Sequence, residues 1–179
     1  MTIEFEPFAK MARLSRECVI TEKIDGTNAQ VIITEGGQIA AGSRTRLIYP
    51  GKETDNFGFA AWVQDNREEL MNLGPGRHYG EWYGKGIQRG YGLDHKRFAL
   101  FNTGRWNADN APKCCHVVPV LGRGIFTTDM VMDAMHDLAC GGSVAAPGFM
   151  KPEGVVIYHT HANKFFKKTF EKDDTGKDQ

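Results

Sequence analysis

The sequence predicts an α+β domain, antiparallel sheets with flanking helices, on three observations. Runs of β-branched and aromatic residues recur along the chain at 17–23, 27–34, 39–43, 77–83, 97–102, 115–121, 153–158 and 164–170, set off by Gly, Pro, Asp or Asn. Only 58–73 and 127–140 carry the 3.6-residue apolar period of a helix. The 179 residues, 41% hydrophobic and 25% charged, suffice for one domain with a real core.

Residues 1–16 mix charge and aromatics without period and read as a short helix or an arm packed on the core. Strands at 17–23 and 27–34 flank Asp25-Gly26, a hairpin turn signal. Glu35-Gly36-Gly37-Gln38 is a second turn, and Ile39 to Ser43 returns as a third strand. Such a meander would place Lys23 and Arg44 near one another at strand ends. In 58–73, Phe59, Trp62 or Val63, Asn66 and Leu70 fall on one helical face, and Gly74-Pro75-Gly76 ends it. The strand 77–83 carries Glu81. Residues 84–90 form a flexible basic loop whose glycines lack the order of a phosphate loop. Arg97 to Asn102 is a compact buried strand, and Cys115 to Leu121 is another, with Pro119 marking an edge position. In 127–140, Thr127 or Thr128 caps a helix with Val131, Met135 and Leu138 as its stripe, and Gly141-Gly142 ends it. Strands at 153–158 and 164–170 follow, and the polar tail from Glu171 is expected to fray. No repeat or linker divides the chain, so 1–179 reads as a single domain.

Lysines plus arginines number 22 and so do acidic residues, so bulk charge advertises no nucleic-acid partner and any basic surface must be local. The four cysteines show no Cys-x-x-Cys pair and read as free thiols of a reducing compartment. No signal peptide and no run of about 18 apolar residues is found, so a cytoplasmic protein with no membrane partner is expected.

The stretch that organises the rest is Thr21-Glu22-Lys23-Ile24-Asp25-Gly26-Thr27-Asn28. A lysine held at a strand end can act as a covalent nucleophile if it loses its proton. Alone, the motif reads equally as a surface hairpin. Likewise Phe101 alone is a core residue, Glu81 a solvated strand charge, Arg44 an exposed turn, and Lys167 and Lys168 a solvated edge.

In order along the chain stand Glu-Lys-Ile-Asp-Gly-Thr-Asn at 22–28, Tyr-Gly-Glu-Trp at 79–82, Phe-Ala-Leu-Phe-Asn at 98–102, Pro-Glu-Gly-Val-Val at 152–156 and Phe-Lys-Lys-Thr-Phe at 166–170. This series resembles the motifs of the covalent nucleotidyltransferases, the DNA ligases, RNA ligases and capping enzymes. Asn28 stands where DNA ligases and capping enzymes usually carry arginine, and Lys-x-x-Gly-Thr-Asn followed by Ser43-Arg44 is similar to the RNA ligase 2 type. The resemblance implies the nucleotidyltransferase fold, related to ATP-grasp ligases, with a nucleotide cleft between its sheets. It implies ATP and Mg²⁺ or Mn²⁺ as cofactors, and RNA ends or nicks (DNA as the rival substrate) as partners. Lys23 would attack the α-phosphate of ATP, and AMP would then pass to a 5′-phosphate before a 3′-hydroxyl displaces it. Lys167, with Lys168, would neutralise the α-phosphate. Glu22, Asn28, Arg44, Glu81, Phe101, Glu153 and Lys167 would bind the nucleotide, with Phe101 stacking on adenine and Glu81 accepting from ribose. Glu153, Asn28 and Asp25 would serve the metal and its waters.

Two departures are visible. The position two after Lys167 is Thr169, where the family commonly has a second lysine, and Lys168 points to the other face of a regular strand. Only 171–179 follow the last motif, so a minimal adenylyltransferase is expected, with an accessory protein replacing the domain that many relatives carry. The rival readings are a small DNA ligase and a binding module that keeps the fold without the chemistry. A binder needs no nucleophile.

Overall fold

The computed structural model describes residues 3–171. Their strands are β1 (Glu17–Lys23), β2 (Thr27–Ile33), β3 (Ile39–Ser43), β4 (Leu47–Ile48), β5 (Gly76–Gly84), β6 (Lys96–Leu100), β7 (Cys115–Val117), β8 (Val120–Ile125), β9 (Gly154–His159) and β10 (Lys164–Thr169). Their helices are α1 (Phe59–Asp65), α2 (Arg67–Leu70) and α3 (Thr128–Gly141). The strands make two sheets, a small one ordered β10-β9-β1-β8 and a large one ordered β4-β3-β2-β5-β6-β7. Pairing is antiparallel except between β6 and β7, which run parallel. The large sheet is thus one continuous segment inserted between β1 and β8. The chain enters it at 24–26 and leaves it at 118–119.

One face of each sheet is covered by helix. Cys18, Ile20, Val155 and Ile157 of the small sheet pack on Val131, Ala134, Met135 and Leu138 of α3. Thr127 caps α3 by accepting from the Met130 amide, one of the two caps expected. Ala29, Val31, Ile33, Trp82, Phe98 and Leu100 of the large sheet pack on Phe59, Val63, Leu70 and Leu73. Phe59 lies 5.1–5.6 Å, ring to ring, from Trp62, Trp82 and Phe98. Burying a ring of that size contributes about 2 kcal/mol. A third cluster of Ile24, Tyr83, Tyr91, Ala99, Val118 and Ala146 joins the sheets, and both crossing segments contribute to it.

Several expectations need correction. β1 and β2 are not a hairpin, because Ile24–Gly26 carries the chain from one sheet to the other. Gly26 is required there by crowding rather than by turn type. A Cβ on it would lie 2.4 Å from the Trp82 carbonyl oxygen and 2.8 Å from the Tyr83 Cβ. The meander is therefore β2-β3-β4, without β1. The 58–73 helix is broken at Asn66, whose side-chain amide bonds the Trp62 carbonyl at 2.8 Å and competes with the helical ladder. The expected strand at 115–121 is two strands in different sheets. Pro119 lies between them, and both β7 and β8 are sheet edges. Phe101 and Asn102 lie just past β6. Residues 3–13 form neither helix nor packed arm: Ile3, Phe5, Phe8 and Met11 are exposed. The fraying expected of the tail falls on 172–179, outside the described residues. No helix among the described residues is long and apolar enough to cross a membrane, and the four cysteines are free thiols.

Candidate active site

Lys23 is the last residue of β1 and sits opposite Gly154, the first of β9. Gly154 has φ 149°, and a Cβ there would lie 2.2 Å from the Lys168 carbonyl oxygen, so the strand starts where only glycine fits. That start puts Glu153 beside the lysine, with Lys23 Nζ 2.6 Å from Glu153 Oε2. The Lys23 and Glu153 side chains keep 24% and 19% of their surface exposed, so the pair is open to a ligand.

The large sheet supplies the opposite wall. Asn28 of β2 pairs in register with Glu81 of β5. Asn28 Nδ2 donates to Glu81 Oε2 at 3.0 Å, and the Gly26 amide donates to Oε1 at 3.0 Å. Burial pushes the Glu81 carboxyl up to about 7, against the pull of Asn28, the Lys23 charge and the Gly26 amide. Near neutrality Glu81 can therefore accept or donate.

Asp25 is held from both sides. Its amide donates to the Tyr91 hydroxyl at 2.8 Å, and its Oδ2 accepts from Arg89 Nε at 2.9 Å. Arg89 also donates to the Lys151 carbonyl at 3.3 Å, tying the turn after Lys23 to the segment before Glu153. Burial pushes the Tyr91 hydroxyl up, so it stays protonated. Arg89 and Tyr91 were not among the expected site residues. The basic character of 84–90 was the one signal for Arg89, and Tyr91 had none.

The other expected residues fall as follows. Glu22 is 1% exposed. Its Oε1 accepts from Ser143 Oγ at 2.6 Å, and its Oε2 accepts from the Val144 and Ala145 amides at 2.8 and 2.9 Å. The expectation of a nucleotide contact through its side chain is corrected, because that carboxylate anchors the segment after α3. Phe101 is 39% exposed, not core, and its amide donates to the Tyr79 carbonyl at 3.0 Å. Tyr79, also exposed, lies two residues before Glu81 on the same strand face. Arg44 is exposed one residue past Ser43, which pairs with Ala29, so it stands at the level of Asn28 on the large sheet.

Lys167 pairs with Val156, which pairs with Thr21, so Lys167 and Lys23 share a face of the small sheet two residues apart in register. Lys168 pairs with Val155 and belongs to the α3 side, so its expected role at the α-phosphate is corrected by strand alternation. Among the described residues, no group of three or more His, Cys, Asp or Glu could hold a metal ion. Asp25, expected to serve the metal, is committed to Arg89. What fits a hard divalent cation is the half-open Glu153 carboxylate, because magnesium keeps several waters and binds through one or two carboxylates plus phosphate oxygens.

Two sheets that meet at a lysine–glutamate pair make a nucleotidyltransferase-type fold. The family profile described as RNA ligase matches residues 16–172, and the chain belongs to that family. Solved structures agree on the fold. Naegleria gruberi RNA ligase with PPi superposes with TM-score 0.63 at 24% identity, over 87% of this chain and 50% of that one. A mutant of that ligase with ATP and Mn gives TM-score 0.61 at 20% identity, over 88% and 51%. Another with AMP and Mn gives 0.60 at 22%, over 87% and 50%. This chain spans about half the length of those relatives. No curated protein sequence matches it.

Proposed function

We propose that this chain is an ATP-dependent RNA ligase core that works through a covalent lysyl-AMP on Lys23. The observation that carries the reading is the Lys23–Glu153 pair, half-open at the junction of the sheets and faced by Glu81. While Glu153 holds the ammonium, the nitrogen lone pair is unavailable. Release of that contact and loss of a proton arm the amine. Lys23 Nζ then bonds to the α-phosphorus of ATP as the bond to the bridging oxygen breaks, and pyrophosphate leaves with that electron pair. Glu153 would hold a divalent cation, which would supply charge neutralisation at the reacting phosphate. Lys167, on the same face, neutralises the non-bridging oxygens. Phe101 stacks on adenine, and Glu81 exchanges a hydrogen bond with ribose. Arg89 and Tyr91 fix the turn that carries the nucleophile.

In the second step a 5′-phosphate oxygen of RNA takes the adenylyl group from Lys23. In the third a 3′-hydroxyl attacks that phosphate and AMP departs. The test is incubation of the purified chain with α-labelled ATP and Mg²⁺ or Mn²⁺, followed by denaturing electrophoresis. Label is expected on the wild type and not on Lys23→Ala. A folded wild type that takes no label sinks the reading. Sealing assays on RNA and DNA nicks then decide the substrate.

A further inference from the structure

The face of the small sheet that α3 leaves uncovered runs well beyond the nucleophile. Residues opposite one another on neighbouring strands share a face. Register therefore lines up Lys23 with Gly154, Thr21 with Val156 and Lys167, and Val19 with Arg123, Tyr158 and Phe165. The last row stands four residues back along β1, about 13 Å from Lys23 at the rise of a strand. In it Tyr158 and Phe165 are stacked, with ring centroids 4.6 Å apart and planes at 28°. The Tyr158 hydroxyl donates to Asn163 Oδ1 at 2.8 Å, which holds that ring in place. Phe165 is 68% exposed and lies on β10, an edge strand.

Edge-strand aromatics usually cost solubility, and although Tyr158 lies beside the buried Val19, Phe165 is left largely in solvent. Its neighbours on the same face are basic: Lys167 is exposed, and Arg123 is exposed and donates to the Thr103 carbonyl at 3.0 Å. The acidic residues at this face stand at its two ends, Glu17 opposite Ile125 and Glu153 paired with Lys23. A fixed aromatic stack between cations is the surface on which unpaired bases stack while the backbone lies against positive charge.

We propose that the Tyr158–Phe165 stack, flanked by Arg123 and Lys167, is a docking platform for unpaired nucleotides of an RNA strand whose end reaches Lys23. This rests on the ligase reading for its orientation. The contact itself is tested without ATP.

The experiment is fluorescence anisotropy of a short labelled single-stranded RNA titrated with the full chain across a range of salt. Phe165→Ala is expected to weaken binding about tenfold, Phe165→Leu to lose as much, and Phe165→Trp to bind like the wild type, because the ring face carries the contact. None of the three should change the salt slope, whereas Arg123→Ala should lower it by about one. Melting curves confirm that each exposed-site variant folds. Wild-type affinity in both Phe165→Ala and Phe165→Leu overturns the platform. So does a leucine variant that binds as well as wild type while alanine does not. A wild-type dimer that Phe165→Ala dissolves without loss of RNA affinity would also overturn it, by making the edge a contact between copies. Label on Lys23 with Phe165-insensitive RNA binding sinks the platform alone. No label with Phe165-sensitive binding sinks the ligase reading alone.

Discussion

The two walls at the Lys23 junction are built on opposite terms. On the large-sheet wall Glu81 is 7% exposed and both its oxygens are bonded, to Asn28 and to the Gly26 amide. On the small-sheet wall Lys23 and Glu153 remain partly exposed and bond each other, and Lys167 is exposed beside them on the same face. The closed wall has its geometry settled before any ligand arrives. The open wall has its charges close together and exchangeable. On the proposed function, the difference would separate positioning, which benefits from rigidity, from chemistry, which needs partners that can be released.

Changes that attack one wall at a time sharpen this contrast. Glu153→Gln removes charge from the open wall while keeping its shape. The rate of label transfer to Lys23 should fall on the order of 100-fold, with a smaller loss of stability than Glu81→Ala because both partners keep some solvent contact. Glu81→Ala strikes the closed wall. It leaves the Gly26 amide and Asn28 Nδ2 without their acceptor, and urea unfolding should show a loss of about 2 kcal/mol. If Glu153→Gln unfolded more easily than Glu81→Ala, the contrast would fail.

A further effect at the same carboxyl concerns pH. The Glu81 carboxyl is raised to about 7 in the folded chain, so between the ordinary carboxylate range and 7 the folded state holds a proton that the unfolded state has released. The stabilisation is present at the acid end, declines as pH rises and is gone above about 7, about 3 kcal/mol across the window. Urea midpoints taken from pH 5 to 8 should show this slope, and Glu81→Gln should flatten it.

Much of this was legible in the sequence, for identifiable reasons. Strand runs and the α3 stripe announce themselves by period, and Lys23, Glu81 and Glu153 by spacing within motifs. What was illegible depended on contacts distant in sequence. Whether Asp25-Gly26 closes a hairpin or crosses between sheets is decided by β5, more than fifty residues on, through the Trp82 carbonyl and Tyr83. Glu22 looked like part of the site because it precedes Lys23, yet strand alternation turns it to the α3 side, where Ser143 awaits it. Arg89 and Tyr91 belong to no local pattern. Their importance arises from a loop folded back onto Asp25. The break at Asn66 follows from one side-chain amide, too small a signal for a helical periodicity to register.

The insertion of the large sheet between β1 and β8 bears on how the molecule assembles. From Thr27 to Val117 each strand of that sheet has its partners within the same segment, so it can form from comparatively local pairings. β1 cannot. Its neighbours are β8 and β9, and Glu17 meets Ile125 only after the whole insert has been made. Closing so long a loop is entropically unfavourable and slow until the insert has collapsed. During synthesis β1 leaves the ribosome first and finds its place last, and with it Lys23 meets Glu153. A chain arrested part-way would carry the lysine but not its partner, so the adenylylation proposed above would double as a readout of completed folding.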